Sequence, residues 1–282
     1  MEIKQYGSAL GHKIILSLYN LLGYKFVSFI LNFVALYYVV FTHSTKKSLK
    51  SYYEHLGLKL TYLTYFIHIK MFALSIFDRF VSRIKPDELT FTRENREAFL
   101  SLNDGGGVVL LSHIGGWATA ANILTVDIPV MHIVMNESTK KEISDIENAK
   151  QRGNETGVRI IDLNKGAISA NVQIANALIN NEVVAMMADR VTDKSKVLQV
   201  KFLGAIVNIN KNPFDIAYRL KKNIITAFVV NTKEREYALI FNKIDINNKT
   251  LEEVAREYAN ILEDIVKKHP NQWYNFYDFF DK

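Results

Sequence analysis

The stretch LLSHIGGWATAA, Leu110 to Ala121, sets a histidine at the mouth of an apolar run and a glycine pair two residues after it. Imidazole titrates near neutral pH, so His113 in such a place can take a proton from a substrate and later return it. Gly115 and Gly116 suit a sharp turn that brings backbone close to a bound molecule. Their N–H groups are candidates for holding an oxyanion. Ser112 precedes the histidine, but neighbouring residues of a strand point to opposite faces, which argues against a serine nucleophile activated by His113.

The elements that must position His113 are legible as an alternation. From Gly105 onward, short apolar runs (GGGVVLLSH, VMHIVM, GVRIID, EVVAMMAD, NIITAFVV, YALIFNKI) read as strands. Between them KKEISDIENAKQRG, AISANVQIANALINN and NPFDIAYRLKK read as helices. This pattern predicts an α/β fold, a mostly parallel central sheet flanked by helices, with an antiparallel closing pair at the end. Trp117 to Leu124 is expected to start a helix, and Thr250 to cap the last one, Thr250 to Lys268. In open α/β sheets ligands gather beyond the carboxyl ends of strands, where His113 falls. The glycines 105 to 107 precede their strand, so they fail as a dinucleotide or P-loop fingerprint.

Upstream, YNLLGYKFVSFILNFVALYYVVF (Tyr19 to Phe41) has about the 20 residues that span a hydrocarbon core. Lys25 and Asn32 interrupt it, and Lys4, His12 and Lys13 before it are balanced by Lys46, Lys47 and Lys50 after it. That symmetry gives no direction by the positive-inside rule and favours a helix lying in or dipping into one leaflet, with Tyr19, Tyr24, Tyr37 and Tyr38 at headgroup level. No small-residue cleavage site is evident, so the segment is expected to stay on the mature protein. Residues 51 to 90 continue a helical pattern broken at Gly57, with His55 and His68 as packing residues. The organisation expected is a membrane-anchoring helical segment over 1–50 and a single α/β domain over 51–282.

Composition agrees. Hydrophobic residues make up 49% and aromatics 12%, too apolar for disorder and rich enough to suggest a lipid-facing surface. The net charge of +6 fits an anionic membrane or nucleic acid. No zinc-finger spacing or aromatic RNA-binding strand accompanies it, so nucleic acid is not expected as a partner. Cysteine is absent, which excludes a disulfide framework, and no cluster has metal-ligand spacing, so no metal is expected.

Several motifs in order resemble the bacterial lipid A biosynthesis acyltransferases, the lauroyl/myristoyl branch of the lysophospholipid acyltransferase superfamily. They are the apolar N-terminal helix, VVLLSHIGGWA at the site of the family's H-x4-[DE] motif, VVAMMADR (183 to 190), VKFLGAIVNI (200 to 209) and HPNQWYNFYDFF (269 to 280). The resemblance implies that His113 is a general base that deprotonates an acceptor hydroxyl for attack on an acyl thioester, carried on acyl carrier protein or as acyl-CoA. It implies a membrane lipid or glycolipid acceptor, no cofactor, and a place at the cytoplasmic face of a bacterial inner membrane. The motif's carboxylate would orient the imidazole and stabilise it when charged.

Five residues after His113 stands Ala118, where the motif has its acid. Three readings fit: an active-site variant that traps substrate, favoured by the otherwise intact motif; a natural member whose acid lies elsewhere; or a non-catalytic lipid-binding or scaffold relative. Asp189 is the best replacement acid by position. Arg190 beside it is a candidate for a substrate phosphate through paired N–H donors. Trp117 lines the acyl cavity or packs the helix. Lys201, before FLG, and Arg152 are candidates for positive potential toward an anionic acceptor or carrier. His132 is expected to be a satisfied core histidine.

Overall fold

The strand leading to His113 is the middle of the molecule because it has nothing polar to show to water. All five residues of β2 (Gly107–Leu111) are buried. A strand covered on both faces belongs inside a sheet wrapped by helices. The computed structural model describes residues 9–124, 126–128, 130–136, 157–191 and 193–280. In it β2 lies between β5 (Val183–Met187) and β8 (Asn223–Lys233), parallel to both. Gly106 closes on the backbone of Asn181 and Glu182, where a Cβ would sit 2.5 Å from a peptide carbon. That close approach accounts for glycine before the strand.

The sheet has seven strands in the order β1-β9-β8-β2-β5-β3-β4, with β1 (Thr90–Glu94), β3 (Met131–Met135), β4 (Val158–Asp162) and β9 (Glu236–Ile244) completing it. Every pairing is parallel except β8 with β9, the expected antiparallel pair. The strand β1 was not anticipated. The sequence VKFLGAIVNI forms most of a separate hairpin of β6 (Val197–Phe202) and β7 (Ala205–Asn210). Leu203 and Gly204, both at positive φ, make its two-residue turn.

Two hydrophobic layers cover the sheet. Val108, Leu110, Val184 and Met186 face α6 (Ala167–Ile179), α7 (Asn212–Arg219) and α8 (Leu251–Lys268). Val109, Leu111, Val183 and Ala185 face α1 (Ala9–Phe41), α3 (Tyr62–Ile84), α4 (Arg96–Leu100) and α5 (Ala120–Leu124). The helix α8 begins with a full capping box, Thr250 and Glu253 each accepting from the other's backbone N–H. The helix expected from Trp117 starts only at Ala120, because Trp117, Thr119 and Ala120 donate three residues back and tighten the chain into turns. The helix expected over KKEISDIENAKQRG lies outside the described residues.

The helix α1 kinks at Gly23 (φ 79°) and packs along α3, with Tyr19 and Tyr24 ring centroids 5.5 and 5.3 Å from Phe77. Next to this contact, Asp78 of α3 is buried and accepts from the Tyr237 hydroxyl of β9. Burial pushes its carboxyl up to about 6, against the opposing pull of the Tyr237 and Tyr24 hydroxyls. A raised folded pKa means the folded state holds a proton that the unfolded chain releases earlier. The resulting stability is present in full below about pH 4 and lost as pH rises to about 6. Relative to the natural chain, Asp78→Asn is therefore predicted to gain about 2 kcal/mol between pH 4 and pH 7.5. Urea unfolding at the two pH values measures it, and an unchanged difference would contradict the raised pKa.

Candidate active site

The register Leu111↔Met187 between β2 and β5, continued two residues, sets His113 level with Asp189. The Ala188 N–H donates to the Leu111 carbonyl at 3.0 Å, which holds that alignment past the strand ends. Asp189 grips His113 twice. Its Oδ1 lies 2.9 Å from His113 Nδ1, and its Oδ2 accepts the His113 backbone N–H at 2.9 Å. The indole N–H of Trp273 donates to the same Oδ2 at 3.1 Å. An ionised carboxylate only accepts, so Nδ1 must carry the hydrogen, and Nε2 is left as the basic nitrogen.

Asp189 is buried, with 2% of its side chain exposed, while 14% of the His113 side chain remains accessible. Burial works to raise the Asp189 pKa. The charge and hydrogen bonds of His113, with Arg190 beside it, outweigh burial and hold the carboxyl below its ordinary value. A buried ionised acid behind a partly open imidazole is an arrangement for proton transfer.

The C-terminal segment wires this pair into the fold. The Tyr274 N–H donates to the His113 carbonyl at 2.7 Å, and the Gly115 N–H to the Gln272 carbonyl at 2.8 Å. The Gln272 side chain in turn bonds both backbone groups of Asn231 on β8. Behind Trp273, buried His68 bridges Tyr53 and the Trp273 carbonyl at 3.2 and 3.1 Å. Desolvation lowers the His68 pKa to about 3, although the Trp273 carbonyl pulls the other way, so it is a neutral strut. Sequence reasoning read His68 as a packing residue, and it is fully buried, but missed Trp273 and Gln272 as supports. Both sit in the motif HPNQWYNFYDFF, the one local signal that pointed to them.

Gly115 has φ 51°, and a Cβ there would meet the Val229 carbonyl at 2.2 Å. The turn is thus a crowded crossing, with the Gly116 N–H donating to Val229 at 2.7 Å. Both glycine N–H groups are already engaged, which corrects the expectation that they hold an oxyanion. Trp117 stands with its ring 5.0 Å from that of His113, and its indole N–H is buried without a partner among the described residues. Ala118 is buried at the position of the missing acid. Ser112, just past the end of β2, is buried with its hydroxyl 2.5 Å from that of Tyr258 on α8.

The remaining candidates separate. Arg190 follows Asp189, lies over the Tyr277 ring at 5.4 Å and reaches the Tyr274 carbonyl at 3.5 Å. Lys201 is exposed on β6 between buried Val200 and Phe202, so it is a surface charge while Phe202 packs on Trp273. His132 Nε2 lies 2.6 Å from a carboxylate oxygen of Glu182, so the ring is satisfied as expected, at a partly buried rather than a core position. Arg152 lies outside the described residues. Among the described residues no group of histidines and acids is arranged to hold a metal.

Compared with known proteins, residues 66–281 match the model of the bacterial lipid A biosynthesis acyltransferases, well over half of the chain. The chain belongs to that family. The match takes in the strands, the His113 turn, Asp189 and the C-terminal segment. It begins within α3, so the N-terminal helix counted in the resemblance falls outside it. No curated protein matches the chain. Membership makes this lipid A family acyltransferase a membrane-associated enzyme by class, and α1 adds a helix apolar enough to touch lipid.

If Trp273 fixes Asp189, removing only its N–H should be felt. Trp273→Phe keeps a ring against Phe202, Phe279 and Tyr52. It is predicted to cost about 1.5–3 kcal/mol of stability, the range for a hydrogen bond to a charged group. Denaturant unfolding reads this, and a loss under about 0.5 kcal/mol would mean the indole does not hold the carboxylate.

Proposed function

We propose that the protein transfers a fatty acyl chain from an acyl thioester to a hydroxyl of a lipid or glycolipid, with His113 as general base and Asp189 in the place of the acid missing at Ala118. The observation that carries this reading is the double grip of Asp189 on His113. Nε2 removes the proton of the acceptor hydroxyl, and the oxygen attacks the thioester carbonyl carbon. The tetrahedral intermediate collapses with cleavage of the C–S bond, and the thiolate regains the proton from Nε2. Asp189 stays ionised throughout and offsets the charge on the imidazolium. No cofactor takes part.

Acyl carrier protein is the proposed donor carrier, with acyl-CoA as the alternative thioester. Arg190 and Trp117 are proposed as substrate contacts, Arg190 for an anionic group and Trp117 for the acyl chain or its carbonyl. Gly115 and Gly116 serve as the turn that seats His113. The proposed location is the cytoplasmic face of a bacterial inner membrane. The Ala118 substitution supports a second reading, a lipid-binding or scaffold protein without turnover.

Acyl transfer into a membrane lipid extract separates the two. His113→Ala and Asp189→Asn are predicted to lower kcat by about 10²–10⁴-fold, and Ala118→Glu to bring no gain because the Nδ1 partner is already in place. A large gain with glutamate at 118 would make the chain a disabled enzyme with Asp189 in a supporting role. Stoichiometric lipid without turnover in any form would favour the scaffold.

A further inference from the structure

The balance of flanking charges favours a helix α1 that lies in or dips into one leaflet. Its two faces bear on this. Tyr24, Val27, Leu31 and Ala35 are buried toward the body, whereas Phe26, Phe29, Phe33, Leu36, Val40 and Phe41 are exposed at helical spacing. From Phe26 to Phe41 the chain has no charged residue. With one stripe packed on the body and the other bare, α1 has the two-faced character of a helix that lies in one leaflet.

The exposed stripe does not end with α1. Thr42 bonds the Tyr65 hydroxyl through its carbonyl at 3.0 Å, fixing the end of α1 to the first turn of α3. The knuckle between α2 (His43–His55) and α3 sits at that junction. Leu56 and Leu60 pack inward there, but Leu58, Tyr62 and Leu63 point out, with Tyr62 73% and Leu63 68% exposed. These are large apolar surfaces for a water-facing corner. Lys46 Nζ lies 4.0 Å over the Tyr62 ring, which puts a cation and an interfacial aromatic at one level. Between Thr42 and Thr64 the chain carries four lysines, 46, 47, 50 and 59, against the single acid Glu54. Salt bridges with Asp278 and Glu54 leave the Lys47 and Lys50 side chains largely exposed.

We propose that the α2–α3 knuckle is a second membrane contact, a wedge of Leu58, Tyr62 and Leu63 ringed by lysines, which seats the protein on anionic headgroups with α1 lying in the same leaflet. Apolar side chains enter the interface while the lysine stems snorkel to the phosphates. The occupant is a bilayer surface because the stripe is continuous with that of α1 and the surrounding charge is positive. This contact is independent of the chemistry at His113.

The absence of native cysteine makes the test direct. Leu63→Cys and Phe29→Cys, each labelled with a polarity-sensitive dye in the full chain, are mixed with vesicles of phosphatidylcholine with or without phosphatidylglycerol. Both dyes are predicted to move to a low-polarity setting at similar shallow depth, more strongly with phosphatidylglycerol. Leu58→Ser, Tyr62→Ser and Leu63→Ser together should weaken vesicle binding by about 10²-fold, and Lys46→Gln with Lys59→Gln should erase the preference for phosphatidylglycerol. A dye at 63 that stays in water on bound vesicles, or a dye at 29 found at mid-bilayer depth, overturns the proposal. So does a dye at 63 shielded without vesicles in sedimenting oligomers, which would assign the wedge to a second copy.

Discussion

The site depends on one alignment, the parallel register of β2 against β5. Extending Leu111↔Met187 by two residues puts His113 against Asp189. Because β2 and β5 are central and covered on both faces, a one-residue slip would send each side chain into the opposite layer, against a different set of helices and neighbours. The fit of the two layers therefore sets the distance between His113 and Asp189. On the proposed function, a dyad built this way needs no acid in the turn after His113, where Ala118 stands.

Burial and charge are balanced with care at Asp189. Left alone, a buried carboxylate would take a proton and lose its grip on Nδ1. Here His113, its N–H and Arg190 keep the acid ionised, and Trp273 occupies the oxygen that faces the tail. The C-terminal segment supplies the last support from far along the chain, binding the carbonyl of His113 and the N–H of Gly115. The turn after His113 is in consequence spent on structure, and its glycines are there to let chains cross.

How much of this was legible follows from the range of each interaction. The strand and helix alternation, the Thr250 cap and the placing of His113 beyond a strand are local patterns, and the described residues reproduce them. Asp189 was reachable because it too follows an apolar strand run. The Trp273 bond to Asp189 and the His68 bridge to Trp273 join residues far apart in sequence, and no periodicity marks such pairs. The strand β1 escaped for a related reason: its exposed and half-buried residues alternate at an edge, with no apolar run to betray it. Lys201 looked promising in a motif whose conformation, a hairpin with alternating sides, sends it to solvent.

The central claim is that Asp189 holds the hydrogen on His113 Nδ1 and so leaves Nε2 free to act as base. The nitrogen chemical shifts of the His113 ring, read by NMR in the natural chain and in Asp189→Asn, test it most directly. The account predicts an Nδ1–H tautomer with an unprotonated Nε2 in the neutral natural chain, and loss of that preference in Asp189→Asn. An Nε2–H tautomer in the natural chain, or one indifferent to residue 189, would contradict it.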